Sequence, residues 1–266
     1  MVIALTTDPS NRRRGFGSAG IAVLWKAWQE SRSRFFSALV LLASVVIYAL
    51  IMGPGDVARH RYLHPDKPYF YSTYIWEGLF HYSLQGLWIL GAFVVALGGL
   101  RREKATGTAL YSLGLPVTRM RLFLSRSALA CAEAIALGVV SALLIPIVSF
   151  FVGESYPFDQ ALAFGALMGA AGLVIVAIGL LLSEMFEGEF TAAAVGLCAL
   201  TTIFLSYKAE TLSGWNVFDV MSAASYVDPT TRLLNGSAPW PGLIVCLLVS
   251  IILLIATGLM IRARDL

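Results

Sequence analysis

Ile75–Leu100 reads IWEGLFHYSLQGLWILGAFVVALGGL, and it runs directly into Arg101–Arg119, RREKATGTALYSLGLPVTR. The first stretch is a continuous apolar run long enough to cross a bilayer, which takes roughly 20 residues. The second is short, basic and amphipathic, and it opens onto another apolar run. A connection that only reverses the chain between two spans needs no such pattern. This junction therefore decides two things: the chain is built of membrane-crossing helices, and one of its connections has something to dock on.

Working outward, apolar residues fall in blocks and do not follow the helical or alternating periods of a half-solvated core. Six blocks approach or exceed spanning length: Phe35–Met52, Ile75–Leu100, Leu129–Val152, Ala161–Leu182, Phe190–Tyr207 and Gly242–Ile261. Composition agrees, with 58% hydrophobic residues, 13% charged and a mean hydropathy of +0.77. A water-soluble chain would carry about 25% charged residues. Barrel strands alternate apolar with polar over about 10 residues, which these blocks do not. The first apolar run begins too far in for a cleaved signal peptide. The expected fold class is an all-α membrane protein, one transmembrane domain over residues 1–266 with six transmembrane helices. Cys131, Cys198 and Cys246 all sit within apolar blocks and read as small packing residues, with no disulfide or metal spacing.

Fourteen of the 19 Lys and Arg residues lie in 1–34, in 101–126 and after the last block. Basic residues stay on the cytoplasmic side during insertion, so both termini and the 101–121 segment are expected in the cytoplasm, with membrane lipid around the bundle. The net charge of +3 then reflects topology, and nucleic acid is not an expected partner.

Ile21, Leu24, Trp25 and Trp28 recur at helical spacing ahead of the first block. Over residues 16–34 this predicts an interfacial helix, with the chain ahead of it loosened by Gly15, Gly17 and Gly20, in preference to a continuous extension of the span. Gly53–Thr73 reads as an external loop punctuated by Pro54, Gly55, Pro65 and Pro68. Gly153–Gln160 reads as a simple turn, and Lys208–Pro241 as a long connection with short helices on the outer surface. Ser183–Glu189 is a short acidic turn. Pro146 lies inside the third block. Gly165, Gly169, Gly172 and Gly179 form a small-residue stripe that lets helix backbones approach closely.

Within the basic segment, Thr106 or Thr108 can cap a short helix, Gly114 can end it, and Leu115-Pro116 forces a corner. Thr118 is placed to cap the third span. Glu103, Gly107-Thr108 and Leu113-Gly114-Leu115-Pro116-Val117-Thr118-Arg119 together resemble the cytoplasmic loop of ABC-2 family permeases, the membrane subunits of ATP-binding-cassette exporters. The resemblance extends to the N-terminal helix, the six-span layout and the long last external connection. It implies that residues 101–121 form a coupling helix between spans 2 and 3. Its implied contacts to an ATPase subunit are Glu103, Gly107, Thr108, Leu110, Leu113, Pro116 and Arg119. Tyr111-Ser112 departs from the family's second leucine-rich turn. A second permease copy or paralogue, and a bacterial cytoplasmic membrane location, are implied likewise. None of the four lysines sits in a Gly-x-x-x-x-Gly-Lys loop, so no cofactor is expected in this chain, and ATP and Mg belong to the partner ATPase.

Polar groups inside a span are costly in lipid and should face protein or water. Tyr74, Glu77, His81, Gln85 and Trp88 share one helical face, and Glu133 lies two turns inside the third span. Two readings stay open for them: part of a translocation path, or a hydrogen-bonded packing face, with Glu133 paired to Arg126 or Arg102. His60, His64 and His81 have no cysteine or methionine cluster beside them, so no metal site is expected. Two further function classes compete with the permease. An intramembrane enzyme needs a third group beside Glu77 and His81, and an ion-coupled secondary transporter needs inverted repeats or midplane charges.

Overall fold

A computed structural model of the 266-residue chain describes residues 9–97, 118–186, 191–208, 216–236 and 238–263; the side chains of 9–19 and 203–208 are outside that description. Among the described residues helix is the only extended regular structure, beside one isolated β-bridge between Val227 and Leu234. Seven helices follow in order. They are α1 (Pro9–Leu63), α2 (Tyr71–Ala96), α3 (Arg119–Phe151), α4 (Phe158–Met185), α5 (Thr191–Lys208), the short α6 (Val217–Ser222) and α7 (Trp240–Ala263). Five of them, α1, α2, α3, α4 and α7, are long and apolar enough to cross a membrane. The chain is thus an all-α, multi-pass membrane protein. In α5 the described apolar part, Thr191–Thr202, is shorter than a crossing.

Helix α1 corrects two expectations. The interfacial helix expected over 16–34 and the span expected over 35–52 are one continuous helix, 55 residues and roughly 82 Å long at 1.5 Å per residue. The helix also runs through Gly53-Pro54-Gly55 to Leu63, so the expected loop from Gly53 shrinks to residues 64–70. From Val23 onward a single stripe packs on the bundle. Val23, Ala27, Ser31, Phe35, Ala38, Leu42, Val46, Leu50, Gly53 and Val57 are all buried. Recurring every three or four residues, they hold Gly53, Pro54 and Gly55 inside a helix that is packed on both sides of them. Near Pro54, which removes one backbone donor, the Tyr74 hydroxyl donates to Ala49 O at 2.8 Å. Ile21, Leu24 and Trp25 point outward from the bundle.

Helix α3 begins at Arg119, ten residues before its apolar block. Thr118 caps it as expected, its Oγ1 accepting from Arg121 N at 3.3 Å. The helix passes through Pro146 and ends at Gly153, whose φ of 79° is the left-handed conformation glycine takes at helix ends. The expected turn after it spans 152–157. Helix α4 consists of Phe158–Ala171 and Leu173–Met185, interrupted at Gly172.

The core forms where α2 and α3 meet α4, with α1 packed along α3 and α7 along α4. The glycine stripe of α4 works within this subunit. A Cβ on Gly165 would sit 2.9 Å from Gly138 O, and one on Gly169 would sit 3.0 Å from Ile135 Cα. On α3, a Cβ on Gly138 would lie 2.8 Å from Gly165 O. These are backbone contacts, so a methyl group cannot be absorbed by a side-chain rotation. Gly138→Ala and Gly165→Ala are each expected to force α3 and α4 apart and to cost about 1–3 kcal/mol. Gly55→Ala, where nothing lies within 4 Å, is expected to leave stability unchanged or slightly raised. Thermal unfolding of the purified variants in one detergent checks the contrast.

Candidate functional site

Two polar constellations occupy opposite ends of the bundle. The first is built on α2, whose residues Trp76–Ser83 form a π-helical stretch inside the span. Such wider turns are uncommon and recur at functional sites. Here the extra residue per turn stacks Trp76 on His81, five positions on, with ring centroids 4.8 Å apart and planes 14° apart. The Trp76 ring also carries the guanidinium of Arg232, 4.9 Å from the ring centre. Arg232 also lies 3.5 Å from Glu77 Oε1. Its φ of 56° is unusual for a residue with a side chain.

Arg232 belongs to the connection between α5 and α7, and that connection folds inward. Short helices lying on the outer surface are the sequence expectation; instead, α6 is buried, with Phe218 and Met221 each 1% exposed. Three groups of α2 reach its backbone and side chains. Gln85 Nε2 donates to Phe218 O at 2.7 Å, Trp76 Nε1 donates to Ser222 O at 2.9 Å, and His81 Nδ1 lies 3.3 Å from Ser222 Oγ. Thr73 Oγ1 donates to Thr230 O, and Leu234 N donates to Gln160 Oε1 of α4, both at 2.9 Å. The segment keeps its own shape through Asp228, whose carboxylate accepts from Thr230 N and Thr231 N at 2.8 Å each. These backbone donors hold the exposed carboxyl below its usual range.

The five residues expected on one face of α2 are therefore placed as follows. Tyr74 bonds α1, Glu77 faces Arg232 and Tyr69, and His81 and Gln85 meet α6. Trp88, fully buried, donates from Nε1 to Ala134 O of α3 at 3.1 Å. The structure brings them together as a packed face of the bundle, covered over Thr73–Gln85 by the α5–α7 connection. Tyr69, in the loop before α2, has its phenol pushed up to about 12 by burial and by the Glu77 carboxylate 3.4 Å away. His60 stacks on the same Tyr69 with ring centroids 3.9 Å apart. Sequence reasoning missed Trp76, Ser222 and Arg232, because a five-residue spacing falls outside the ordinary helical template.

The second constellation lies at the other end, where α1 meets the last turn of α2 and the first turns of α3. Arg126 Nη2 of α3 donates to Glu30 Oε2 of α1 at 2.6 Å, and Lys26 approaches the other oxygen of Glu30 at 3.4 Å. Arg34 Nη1 donates to Val94 O of α2 at 3.2 Å. Glu133 is 4% exposed, and its partner is a correction to the sequence reading. Arg126 is bound to Glu30, and Glu133 Oε1 instead accepts from Ser31 Oγ. Of the residues expected to contact an ATPase, Glu103, Gly107, Thr108, Leu110, Leu113 and Pro116 lie outside the described residues, as does Arg102. Arg119 is the exposed first residue of α3. No protein-family model and no curated protein matches the chain.

The first constellation makes two measurable statements. Trp76→Phe keeps the ring stack but strands Ser222 O, which is expected to cost about 1 kcal/mol. Arg232→Ala removes both the stack and the ion pair and is expected to raise hydrogen exchange across residues 216–236 without changing exchange in α3. Asp228 carries a pH signature. Its folded pKa is depressed, so its contribution is present above the unfolded value of about 3.9 and is lost as pH falls through the lower folded value. Exchange at Thr230 and Thr231 is therefore expected to accelerate only in that acid window, and at all pH values in Asp228→Ala.

Proposed function

We propose that this chain is the permease subunit of an ABC exporter of the ABC-2 type. In this reading it sits in a bacterial cytoplasmic membrane with α5 as its sixth span. Both termini and residues 98–117 face the cytoplasm, on the side where Lys and Arg concentrate. The observation that carries the proposal is the sequence Glu103–Arg119, a short basic stretch between two spans in which Thr106 or Thr108 can cap a helix, Gly114 can end it and Leu115-Pro116 forces a corner. Anchoring to anionic headgroups would account for its charge but not for that order of threonine, alanine, leucine and glycine.

The structure lends this reading a mechanical context. The 98–117 connection emerges from α2 just past Val94, to which Arg34 of α1 is bonded, and it enters α3 one cap before the helix that Glu30 grips through Arg126. A push on that connection by a docked ATPase is thereby delivered to three helices at once. ATP and Mg act on that partner, and two permeases with two ATPases complete the assembly. A path for cargo along the polar face of α2 requires the α5–α7 connection to lift from Gln85, Trp76 and His81, the step that nucleotide closure would drive.

The decisive experiment is co-purification with candidate ATPase subunits, followed by ATPase activity with and without Glu103→Ala plus Gly107→Trp. The expected result is a stable complex whose docking the double variant weakens about tenfold or more, or about 1.4 kcal/mol. A chain that holds no ATPase, or an activity indifferent to both substitutions, returns the segment to the role of a lipid anchor. The intramembrane enzyme and the ion-coupled transporter then become the leading readings.

A further inference from the structure

Helix α2 holds the α5–α7 connection as a receptor holds a peptide. Thr73 Oγ1, Trp76 Nε1 and Gln85 Nε2 donate to the main-chain carbonyls of Thr230, Ser222 and Phe218. Contacts of this kind read a backbone and are indifferent to its side chains, so specificity falls to the pockets beside them. Two residues beyond Thr230 one side chain is read as well. The guanidinium of Arg232 lies 4.9 Å from the Trp76 ring centre and 3.5 Å from Glu77 Oε1. An indole face with a carboxylate at its edge selects a planar cation, which can stack on the one and fork onto the other.

Arg232 reaches that place under constraint. It closes a tight turn, in which Arg232 N donates to Asp228 O at 3.0 Å and Asp228 N donates to Leu233 O at 2.8 Å. Its φ of 56° is unfavourable for a residue with a side chain. The tether also leaves the fit incomplete. Arg232 Nε is buried with no hydrogen-bond partner among the described residues. Its Nη2 approaches Glu77 at 3.5 Å, beyond the about 2.7–2.9 Å of a charge-assisted hydrogen bond. The other oxygen of Glu77 has only the Tyr69 hydroxyl, at 3.4 Å. The carboxylate is therefore held loosely, and an untethered guanidinium can take both of its oxygens while lying on the indole. The side chains of Glu77 and Arg232 are 37% and 31% exposed, which leaves the place open to a solute.

We propose that Thr73, Trp76 and Glu77 form a binding site for an arginine-bearing peptide segment, occupied from within the chain by Arg232. Thr73 takes a backbone carbonyl of the ligand, and Trp76 and Glu77 take its guanidinium. Arg232 is the built-in competitor, and a ligand enters as the turn Asp228–Leu233 withdraws. This inference stands on α2 and the connection, does not depend on an ATPase partner, and is read by binding alone.

The test uses the full chain in phosphatidylcholine nanodiscs, with binding followed by saturation-transfer NMR of the probe. N-acetyl-arginine amide supplies the guanidinium and a backbone carbonyl; N-acetyl-citrulline amide keeps the shape and removes the charge. Arg232→Ala is expected to bind the arginine probe about tenfold tighter than wild type, and to lose about tenfold when Glu77→Gln is added. The citrulline probe is expected not to bind. Equal affinity in wild type and Arg232→Ala, indifference to Glu77→Gln, or equal binding of both probes would overturn the proposal. Should Arg232→Ala fail to fold, wild type reads the same competition by hydrogen exchange. Excess arginine probe, and not citrulline probe, is expected to accelerate exchange across residues 216–236, and unchanged exchange overturns the proposal equally.

Discussion

Trp88 sits at the point where three helices are closest, and the bundle is arranged around it. Its indole fills a slot between α3 and α4 that exists only because two glycines leave it open. A Cβ on Gly172 would lie 2.1 Å from the ring, and one on Gly138 would lie 3.3 Å from Nε1. The same indole donates to Ala134 O, so its one polar atom is satisfied inside the bundle. In hydrocarbon the drive to bury apolar surface is weak, and helices associate through close packing and internal hydrogen bonds. A large ring locked into a glycine slot supplies both. It holds α2 upright between α3 and α4, which presents the polar ends of α2 and of its neighbours to one another.

Those ends are built differently. At the end built on Trp76–Ser83 a connection folds back and feeds its own backbone carbonyls to Trp76 and Gln85, so those carbonyls are satisfied by side chains of the span. At the basic end side chains bond side chains, across α1 and α3, and one backbone carbonyl of α2 is drawn in.

Much of this was legible before any coordinates. Continuous apolar blocks announce spans because length and hydropathy are local properties. Thr118 as a cap and the glycine stripe of α4 were equally readable, since a cap depends on its next turn and a stripe on helical spacing. The errors share one cause. Pro54 and Gly55 read as breaks on propensity, yet the buried stripe of α1, from Val23 to Val57, carries the helix through them. The π-helical turn at Trp76–Ser83 leaves no mark in composition, so Trp76 escapes the sequence reading while its neighbours Glu77 and His81 do not. Arg126, seven positions from Glu133 on α3, is one of its candidate partners in the sequence; distant residues of α1 claim each of them instead.

What the sequence determined by itself is the class of molecule: a helical membrane protein whose basic residues gather on one side, with one amphipathic connection unlike the rest. Each of those follows from patterns a few turns long, which hold whatever the helices pack against. The tertiary structure alone decided which polar groups meet. It seated Arg232 on Trp76, laid α6 against Gln85 and matched Ser31 with Glu133. Partners 102, 133 or 157 residues apart leave no trace in local spacing and are chosen only when helices pack.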